Sequence, residues 1–334
     1  MSLSESDEVL LVAVEAAALA AEACRRVQAR RVTPGTLEKR DKSPVTVADF
    51  ASQALVCRHL AGHAEVTAVV GEESADALRG DEEAGTRAAV TEEVGASLGE
   101  NCSEDEVLGW IERGSAAIEP GKGSYWTLDP IDGTKGFLRR EQYAVALALI
   151  VEGKVELGVL ACPNLEMPDS PGAGTLLAAR RGSGVTRFAL GADGSLEARD
   201  LRVIEGGPLR FCESVESAHS DQSQSAAIAE RVGIIEPPYR IDSQAKYAAL
   251  ASGLASIYLR MPTRPGYREK IWDHAAGSIV VEEAGGVVTD VFGQPLDFSL
   301  GRELTRNRGI AASVGFDHAR IIEAIGAVAT LPEE

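Results

Sequence analysis

The spacing of hydrophobic residues in the first part of the chain predicts helices followed by pairs of strands. Residues 7–31 are rich in alanine, acidic at the start and basic at the end, which favours one long helix. A second helical pattern runs from 43 to 60. Apolar runs typical of strands occupy 66–70, 125–128, 143–151 with 155–161, and 175–179 with 185–188. We expect helices packed on an antiparallel sheet, with residues 143–151 buried on both faces because nearly all are apolar.

The pattern changes after the glycine-containing loop at 191–195. Strand-like and helical segments then alternate, in the order 209–211, 222–232, 239–241, 243–251, 256–259 and 273–283. Such alternation predicts an α/β unit. We therefore expect two domains, 1–198 and 199–334. The acidic stretch 78–121, which glycines interrupt, is interpreted as a variable surface excursion with one or two short helices.

Composition and charge exclude several classes of protein. The chain has 334 residues, of which 45% are hydrophobic and 25% charged, as in ordinary globular proteins. It carries 33 Lys plus Arg against 51 Asp plus Glu, and the formal charge of −18 argues against nucleic acid polymers as partners. The 5 cysteines are scattered, without a CxxC pair, and no apolar run approaches the roughly 20 residues that span a bilayer. We expect a cytoplasmic monomer that does not bind membranes.

The strongest chemical signal is the segment LDPIDGTKGF, in which a strand leads into Asp129 and Asp132. Pro130 fixes the backbone between the two carboxylates, and Gly133 allows the backbone to approach a ligand closely. Carboxylate oxygens next to the free amides of a helix start suit Mg²⁺ together with a phosphate group. The alternative is a helix start with one aspartate as its N-cap, which would not require both aspartates, the proline and the Gly-Thr pair at once.

Three further acidic residues each have a plain structural alternative. Glu72 lies in the sequence GEES, where adjacent glutamates on a loop are usually solvated. Asp273, in WDHAAG, could be the N-cap of the helix that follows, and we interpret the neighbouring His274 as structural. Asp49 completes a Thr-x-x-Asp capping pattern. None of the three identifies a site by itself.

Taken together, GEES, DPIDGTKGF and WDHAAG resemble the motifs of the metal-dependent, lithium-sensitive phosphatases of the inositol monophosphatase superfamily. The resemblance covers most of the chain, and it is weak at 78–121. KSPVT, GFLR with QYAV, and IDSQAKY are similar to the 3′(2′),5′-bisphosphate nucleotidase branch. The resemblance implies a sugar-phosphatase fold, which is an α/β/α/β/α sandwich. Its class is α/β, with an α+β N-terminal domain, an α/β C-terminal domain and the active site between them.

The resemblance also implies roles for individual residues. Two or three Mg²⁺ ions are expected, because divalent cations make a crowd of carboxylates tolerable. Their ligands would be Glu72, Asp129, Asp132, Asp273 and the carbonyl oxygen of Ile131. Asp49 and Thr134 would orient and deprotonate the attacking water. The substrate would be held by Gly133, Thr134, His219, Ser243, Lys246, Arg260 and Asp273. For two of these there is a structural alternative: Lys246 could be a surface lysine on a helix, and Arg260 could cap a strand end.

The reaction that the resemblance implies is hydrolysis of the 3′-phosphate of adenosine 3′,5′-bisphosphate to AMP and phosphate. The related 3′-phosphoadenylyl sulfate would be a second substrate. One alternative is a phosphatase of the same fold acting on inositol phosphates, such as an inositol polyphosphate 1-phosphatase or an inositol monophosphatase. Another is a catalytically silent nucleotide-binding sensor, against which the complete set of acids argues.

Overall fold

The computed structural model describes residues 5–32, 43–199, 201, 208–215, 222–329 and 331. Their helices are α1 Glu5–Arg31, α2 Ser43–His63, α3 Ala84–Leu98, α4 Glu104–Glu112, α5 Thr134–Leu138, α6 Gln222–Val232, α7 Ala245–Ala251, α8 Ala275–Glu283 and α9 His318–Val328. Their strands are β1 Val69–Gly71, β2 Ser124–Asp132, β3 Ala144–Val151, β4 Lys154–Cys162, β5 Gly174–Arg180, β6 Gly184–Leu190, β7 Leu196–Arg199, β8 Phe211–Glu213, β9 Tyr239–Arg240, β10 Ile257–Arg260, β11 Val287–Thr289 and β12 Ile310–Ser313. Short 3₁₀ turns lie at Ala75–Leu78, Asp81–Glu83 and Phe298–Leu300.

The first seven strands form one sheet in chain order, with β1 parallel to β2 and every later pair antiparallel. Residues of β3 alternate between two hydrophobic cores. Val145 and Leu147 contribute to the core that includes α1 and α2, whereas Ala146 and Ala148 contribute to the core on the opposite face. The predicted burial of this strand on both faces is therefore confirmed, because helices cover both sides of the sheet.

The other five strands form a second sheet in the order β11-β12-β10-β8-β9, in which parallel and antiparallel pairs are mixed. Helices α7 and α8 lie between the two sheets, and α6 and α9 pack on the far side of the second sheet. The layers are thus helices α1 and α2, the first sheet, α7 and α8, the second sheet, and α6 with α9. This confirms the predicted α/β/α/β/α sandwich.

Residues 78–121 contain two helices, in agreement with the one or two that were expected, but the segment contributes to the core and is not a surface excursion. They contain α3, which is fifteen residues long, and α4, and both pack against α2. Val90 and Ile111 are fully buried in the same core as α1 and α2. The hydrophobic pattern of α3 is weak because the helix is rich in Ala, Gly and Thr. Its apolar side chains form a buried face only where the helix packs against α2.

All strands of the first sheet precede residue 200, and all strands of the second follow residue 210. The domain division at 198/199 nevertheless stays a prediction, since α8 packs against both sheets. None of the helices in the described part of the chain has the length and apolar character needed to cross a membrane.

Candidate active site

The two aspartates of the DPID segment lie at the C-terminal end of β2, where a bulge controls their direction. Asp129 pairs with Ala146 and Asp132 with Ala144, so three steps along β2 match two steps along β3. In a regular strand, residues three apart point to opposite faces. The extra residue places Asp129 and Asp132 opposite two alanines of the same core, and hence on one face of the sheet.

Glu72 reaches this place because β1 runs parallel to β2. Gly71, the last residue of β1, pairs with Leu128, and the backbone N–H of Glu72 donates to the carbonyl of Leu128 at 3.1 Å. Glu72, one residue after Gly71, therefore lies beside Asp129, one residue after Leu128. The parallel pairing brings together two acidic segments that are more than fifty residues apart in the sequence.

Helix α2 holds both of these segments from one face. The Ser52 hydroxyl donates to the carbonyl of Pro130 at 3.0 Å, and the Gln53 side chain donates to the carbonyl of Glu73 at 2.7 Å while accepting from its N–H at 3.1 Å. Asp49 is buried one helical turn earlier on the same face. The sequence offered no signal for Gln53, since its partners are backbone atoms of other elements.

Asp273 arrives from the loop before α8, and Gln244 connects that loop to the DPID segment. The backbone N–H of Gln244 donates to Oδ2 of Asp132 at 2.6 Å, and its side-chain amide donates to the carbonyl of Trp272 at 2.9 Å. Arg302 connects the same loop to the end of β1. It donates to the carbonyl of Gly71 at 2.7 Å, and its guanidinium carbon lies 4.7 Å from the ring centroid of Trp272. Both connecting residues were missed at the level of sequence.

The acids brought together in this way perturb one another. Burial, followed by the charges of Glu72, Asp132 and Asp273, raises the pKa of Asp129 well above its usual range. Partial desolvation of the carboxyl group, followed by the charges of Glu73 and Asp132, raises the pKa of Glu72 to about 7, although the residue as a whole is exposed. For Asp273, burial and the charge of Asp132 raise the pKa to about 7, against an opposing effect of His274. Uncompensated anions are thus unfavourable here.

The donor set also fits divalent cations. Oδ1 of Asp129 is buried and accepts no hydrogen bond from the described residues, so it is a buried acceptor without a partner. Carboxylate and carbonyl oxygens are the ligands that Mg²⁺ takes in proteins. Ile131 lies within the bulge of β2 between the two aspartates, where the regular pairing is interrupted.

The capping alternatives for the aspartates are wrong. Gly133, with φ of +98°, is the N-cap of α5, and no side chain caps that helix. The N-cap of α8 is His274, so Asp273 lies outside the helix start. Asp49 lies within α2, six residues after the helix begins, and is not in a capping box. None of the aspartates has the capping role proposed for it, so capping does not account for their presence.

A tighter group of metal-type ligand atoms, all within 4.8 Å of one another, consists of Glu269, Asp273 and His274. Two of the three are already engaged by protein partners. Glu269 forms an ion pair with Nε of Arg260 at 2.9 Å, and Nδ1 of His274 hydrogen-bonds with the Tyr247 hydroxyl at 2.8 Å. We interpret Glu269 and His274 as supports, as predicted for His274, and Asp273 as the member that faces the other acids.

A cleft of about 510 Å³ opens from this acidic end towards the second sheet. The predicted site residues that line it are Asp132, Gly133, Thr134, Ser243, Lys246, Arg260 and Asp273. A Cβ on Gly133 would lie 2.8 Å from the Cβ of Ser243, so only glycine allows this close approach. Lys246 is buried, not a surface lysine, and its burial lowers the pKa of the ammonium group. His219 lies outside the described residues.

Comparison with known proteins agrees with this architecture. The chain matches the inositol monophosphatase family over residues 5–329. It is 45% identical over 322 residues to a protein of Oryza sativa named 3′(2′),5′-bisphosphate nucleotidase, covering 91% of this chain and 89% of the relative. It is 40% identical over 345 residues to a Schizosaccharomyces pombe protein of the same name, covering 98% and 97%.

Among solved structures, CysQ from Bacteroides thetaiotaomicron, described as a bacterial member of the inositol monophosphatase family, has the same fold. The TM-score is 0.62 at 18% identity, covering 92% of this chain and 97% of that one. The fold, the acids at the end of β2 and the match over nearly the whole chain lead to one conclusion: the protein belongs to the inositol monophosphatase family.

Proposed function

We propose that the protein is a Mg²⁺-dependent 3′(2′),5′-bisphosphate nucleotidase that hydrolyses adenosine 3′,5′-bisphosphate to AMP and phosphate. We extend the proposal to 3′-phosphoadenylyl sulfate as a second substrate. The observation that carries it is the mixed charge of the cleft, which is lined both by the acids Asp132 and Asp273 and by the basic residues Lys246 and Arg260. A substrate with two phosphates fits this division, because one is cleaved and the other is held. The names of the rice and fission-yeast relatives agree with this assignment.

The residues that would hold the metal ions are Glu72, Asp129, Asp132, Asp273 and the Ile131 carbonyl. Divalent cations bound there supply positive charge that acidifies a water molecule and offsets the charge on the leaving oxygen. The protein itself keeps the acids converged through Gln53, Gln244 and the bulge of β2.

The chain's own contribution to proton transfer comes from α2 and α5, which pack against each other. Thr134 is the exposed first residue of α5, and its hydroxyl orients the attacking water. Asp49 receives the proton. Burial, followed by the charges of Glu73 and Glu72, raises the pKa of Asp49, so its carboxylate is a stronger base than that of an exposed aspartate.

The nucleotide and the phosphate that is not cleaved are bound by Ser243, Lys246 and Arg260, together with His219. Lys246 lies with Nζ 5.3 Å from the ring centroid of Tyr258, which holds the ammonium group towards the cleft wall. Arg260 is fixed by its ion pair with Glu269. Ser243 has φ of +68° and accepts from the N–H of Ala245 at 3.1 Å, which places its hydroxyl at the start of α7.

The first test compares the substrates of the two candidate phosphatase activities. We expect kcat/KM for adenosine 3′,5′-bisphosphate to exceed that for inositol 1,4-bisphosphate by at least about tenfold, which corresponds to roughly 1.4 kcal/mol. A preference of that size for the inositol ester would overturn the nucleotide assignment. Replacing Lys246 by Met should raise KM for adenosine 3′,5′-bisphosphate while leaving 3′-AMP nearly unaffected.

A second test separates catalysis from silent binding. Asp132→Asn should abolish phosphate release while the protein stays folded by circular dichroism, and Asp105→Asn, an exposed aspartate on α4, should leave the rate unchanged. No phosphate release from the wild type in the presence of Mg²⁺ would support the sensor.

The remaining parts of the proposal concern assembly and compartment. We propose a monomer of two units, 1–198 and 199–334, in the cytoplasm, where the thiols of all five cysteines would stay reduced. Light scattering after size-exclusion chromatography tests the first point, and a mass near 70 kDa, twice the 35.2 kDa of one chain, would contradict it.

A further inference from the structure

Three cationic side chains alternate with two tyrosines along the basic wall of the cleft. We call this set, Lys246, Tyr258, Arg260, Tyr267 and Arg264, the basic row. Nζ of Lys246 lies 5.3 Å from the ring centroid of Tyr258, and Tyr258 and Arg260 lie two residues apart on one face of β10. Nη2 of Arg260 also donates to the Tyr267 hydroxyl at 3.4 Å, and the guanidinium carbon of Arg264 lies 5.8 Å from the Tyr267 ring centroid. Each cation is thus linked to the next through one tyrosine.

The row runs from the interior of the cleft to its mouth. Lys246 is 4% exposed, the Arg260 side chain is 29% exposed, and Arg264 belongs to the exposed residues. All five members line the same cleft as Asp132 and Asp273. A substrate whose reacting phosphate meets the acids would therefore reach Lys246 and Arg260 before Arg264.

The chain turns back after β10 to form the outer part of the row. Pro265 and Gly266 make a turn in which Gly266 has φ of +65°, a conformation that favours glycine. The turn brings Tyr267 back beside Arg260, so that Arg264 stands over the exposed face of the tyrosine. Stacking on an aromatic ring reduces the freedom of a long guanidinium side chain, which lowers the entropy that is lost when an anion binds it.

The basic row carries more positive charge than is needed to bind a single phosphate group. Glu269 is buried and pairs with Arg260, so the positive charge of that arginine is already partly balanced. Arg264 forms no ion pair with an acidic side chain in the described part of the chain. In a protein of net charge −18, an arginine without a carboxylate partner at the mouth of a substrate cleft is a ready contact for an anion.

Building on the proposed function, we infer that Arg264 is a specificity-determining residue that binds a second anionic group attached to the 5′-phosphate of the substrate. The ligands it selects are adenosine 3′-phosphates whose 5′-phosphate carries a further sulfate or phosphate in an anhydride linkage. Lys246 and Arg260 hold the 5′-phosphate itself, and Arg264 contacts the group beyond it. Adenosine 3′,5′-bisphosphate ends before Arg264 and does not use this contact.

The test measures kcat and KM of Arg264→Gln on adenosine 3′,5′-bisphosphate, 3′-phosphoadenylyl sulfate and adenosine 3′-phosphate 5′-diphosphate, all at low ionic strength. For the two extended substrates we expect KM to rise roughly fivefold with kcat unchanged, the effect of one partly exposed charged hydrogen bond. KM for the bisphosphate should change less than about twofold. Arg264→Lys, which keeps the charge, should recover most of the loss, and about 0.3 M KCl should shrink the difference by screening.

Arg306→Gln is the matched control, because Arg306 is also an exposed arginine after β10 but pairs with Asp297 at 3.0 Å and does not line the cleft. It should affect no substrate. If Arg264→Gln raises KM equally for all three substrates, this arginine contacts the adenine base or attracts anions in general, and the inference is overturned. An unchanged KM for the extended substrates would also overturn it. If the wild type releases no phosphate from the bisphosphate, it is the proposed function that fails.

Discussion

Removing divalent cations should make the stability of this protein fall as pH rises. Glu72, Asp129 and Asp273 have raised pKa values in the folded chain, and unfolding returns them to their ordinary values. Below the pKa that such a carboxyl has in the unfolded chain, it is protonated in both states and does not affect stability. As the pH rises from that value to the higher pKa of the folded chain, the carboxyl destabilises the folded state progressively. For Asp273 the change runs from 3.8 to about 7. The predicted window is therefore pH 4 to 7.

The size of the effect follows from the same values. A rise of the pKa of Asp273 from 3.8 to about 7 corresponds to about 4 kcal/mol, since each pH unit is worth about 1.4 kcal/mol. The neighbouring acids share part of this repulsion, so their contributions cannot be added. About 4 kcal/mol is a large part of the roughly 5–15 kcal/mol that stabilises a typical domain. For a chain of this length it should lower Tm by roughly 5–10 °C.

Thermal unfolding in EDTA at pH 4, 5, 6, 7 and 8 provides the measurement, repeated with millimolar Mg²⁺. Because other groups titrate as well, the informative quantity is the difference between wild type and Asp273→Asn. The variant should be more stable than the wild type without metal at pH 8 and no different at pH 4, and Mg²⁺ should stabilise only the wild type strongly. Asp105→Asn serves as the control. A Tm of the metal-free wild type that stays constant or rises relative to Asp273→Asn would refute the reasoning.

Three other outcomes can be checked directly. EDTA should abolish phosphate release, and added Mg²⁺ should restore it; activity that persists without divalent cations would exclude the proposed site. Gly136→Ala should lower stability by about 2 kcal/mol or more in denaturant unfolding, because the new Cβ would lie 2.0 Å from the backbone oxygen of Gln142, which cannot easily move. Gln53→Ala should raise the Mg²⁺ concentration needed for half-maximal activity, since Glu73 would lose two hydrogen bonds that hold the segment after β1. An unchanged Mg²⁺ requirement in a folded variant would show that α2 does not position this segment.

Local patterns predicted many elements because their signals lie within the elements themselves. The Ala-rich run of α1 and the apolar arms of β3 and β4 were located within a few residues. By contrast, helices were expected within 78–121 but α3 was not located, since its stability depends on Val90 and Val94 packing against α2 and not on a strong pattern of its own. Asp49 fitted a capping pattern by spacing, yet the helix begins earlier and the residue is internal.

The residues of the site also fall into those that the sequence indicated and those that it did not. GEES, DPIDGTKGF and WDHAAG could be read from the sequence because each keeps its acid next to the proline, glycine or tryptophan that shapes the local backbone. Gln244, Gln53 and Arg302 could not, because each acts on the backbone or carboxylate of a distant segment. A glutamine or arginine within an ordinary helix or loop gives no sign of such a partner.

By itself, then, the sequence determined the residue types of the acidic set, the order of most helices and strands, and the family that they resemble. Only the tertiary structure decided that Asp129 and Asp132 face one side of the sheet, since that depends on a bulge in the pairing of β2 with β3. It also decided how Lys246, Arg260 and Arg264 follow one another along the cleft. The physical reason is that spacing along a chain fixes local conformation, whereas register between strands and contact across layers depend on which surfaces exclude water together.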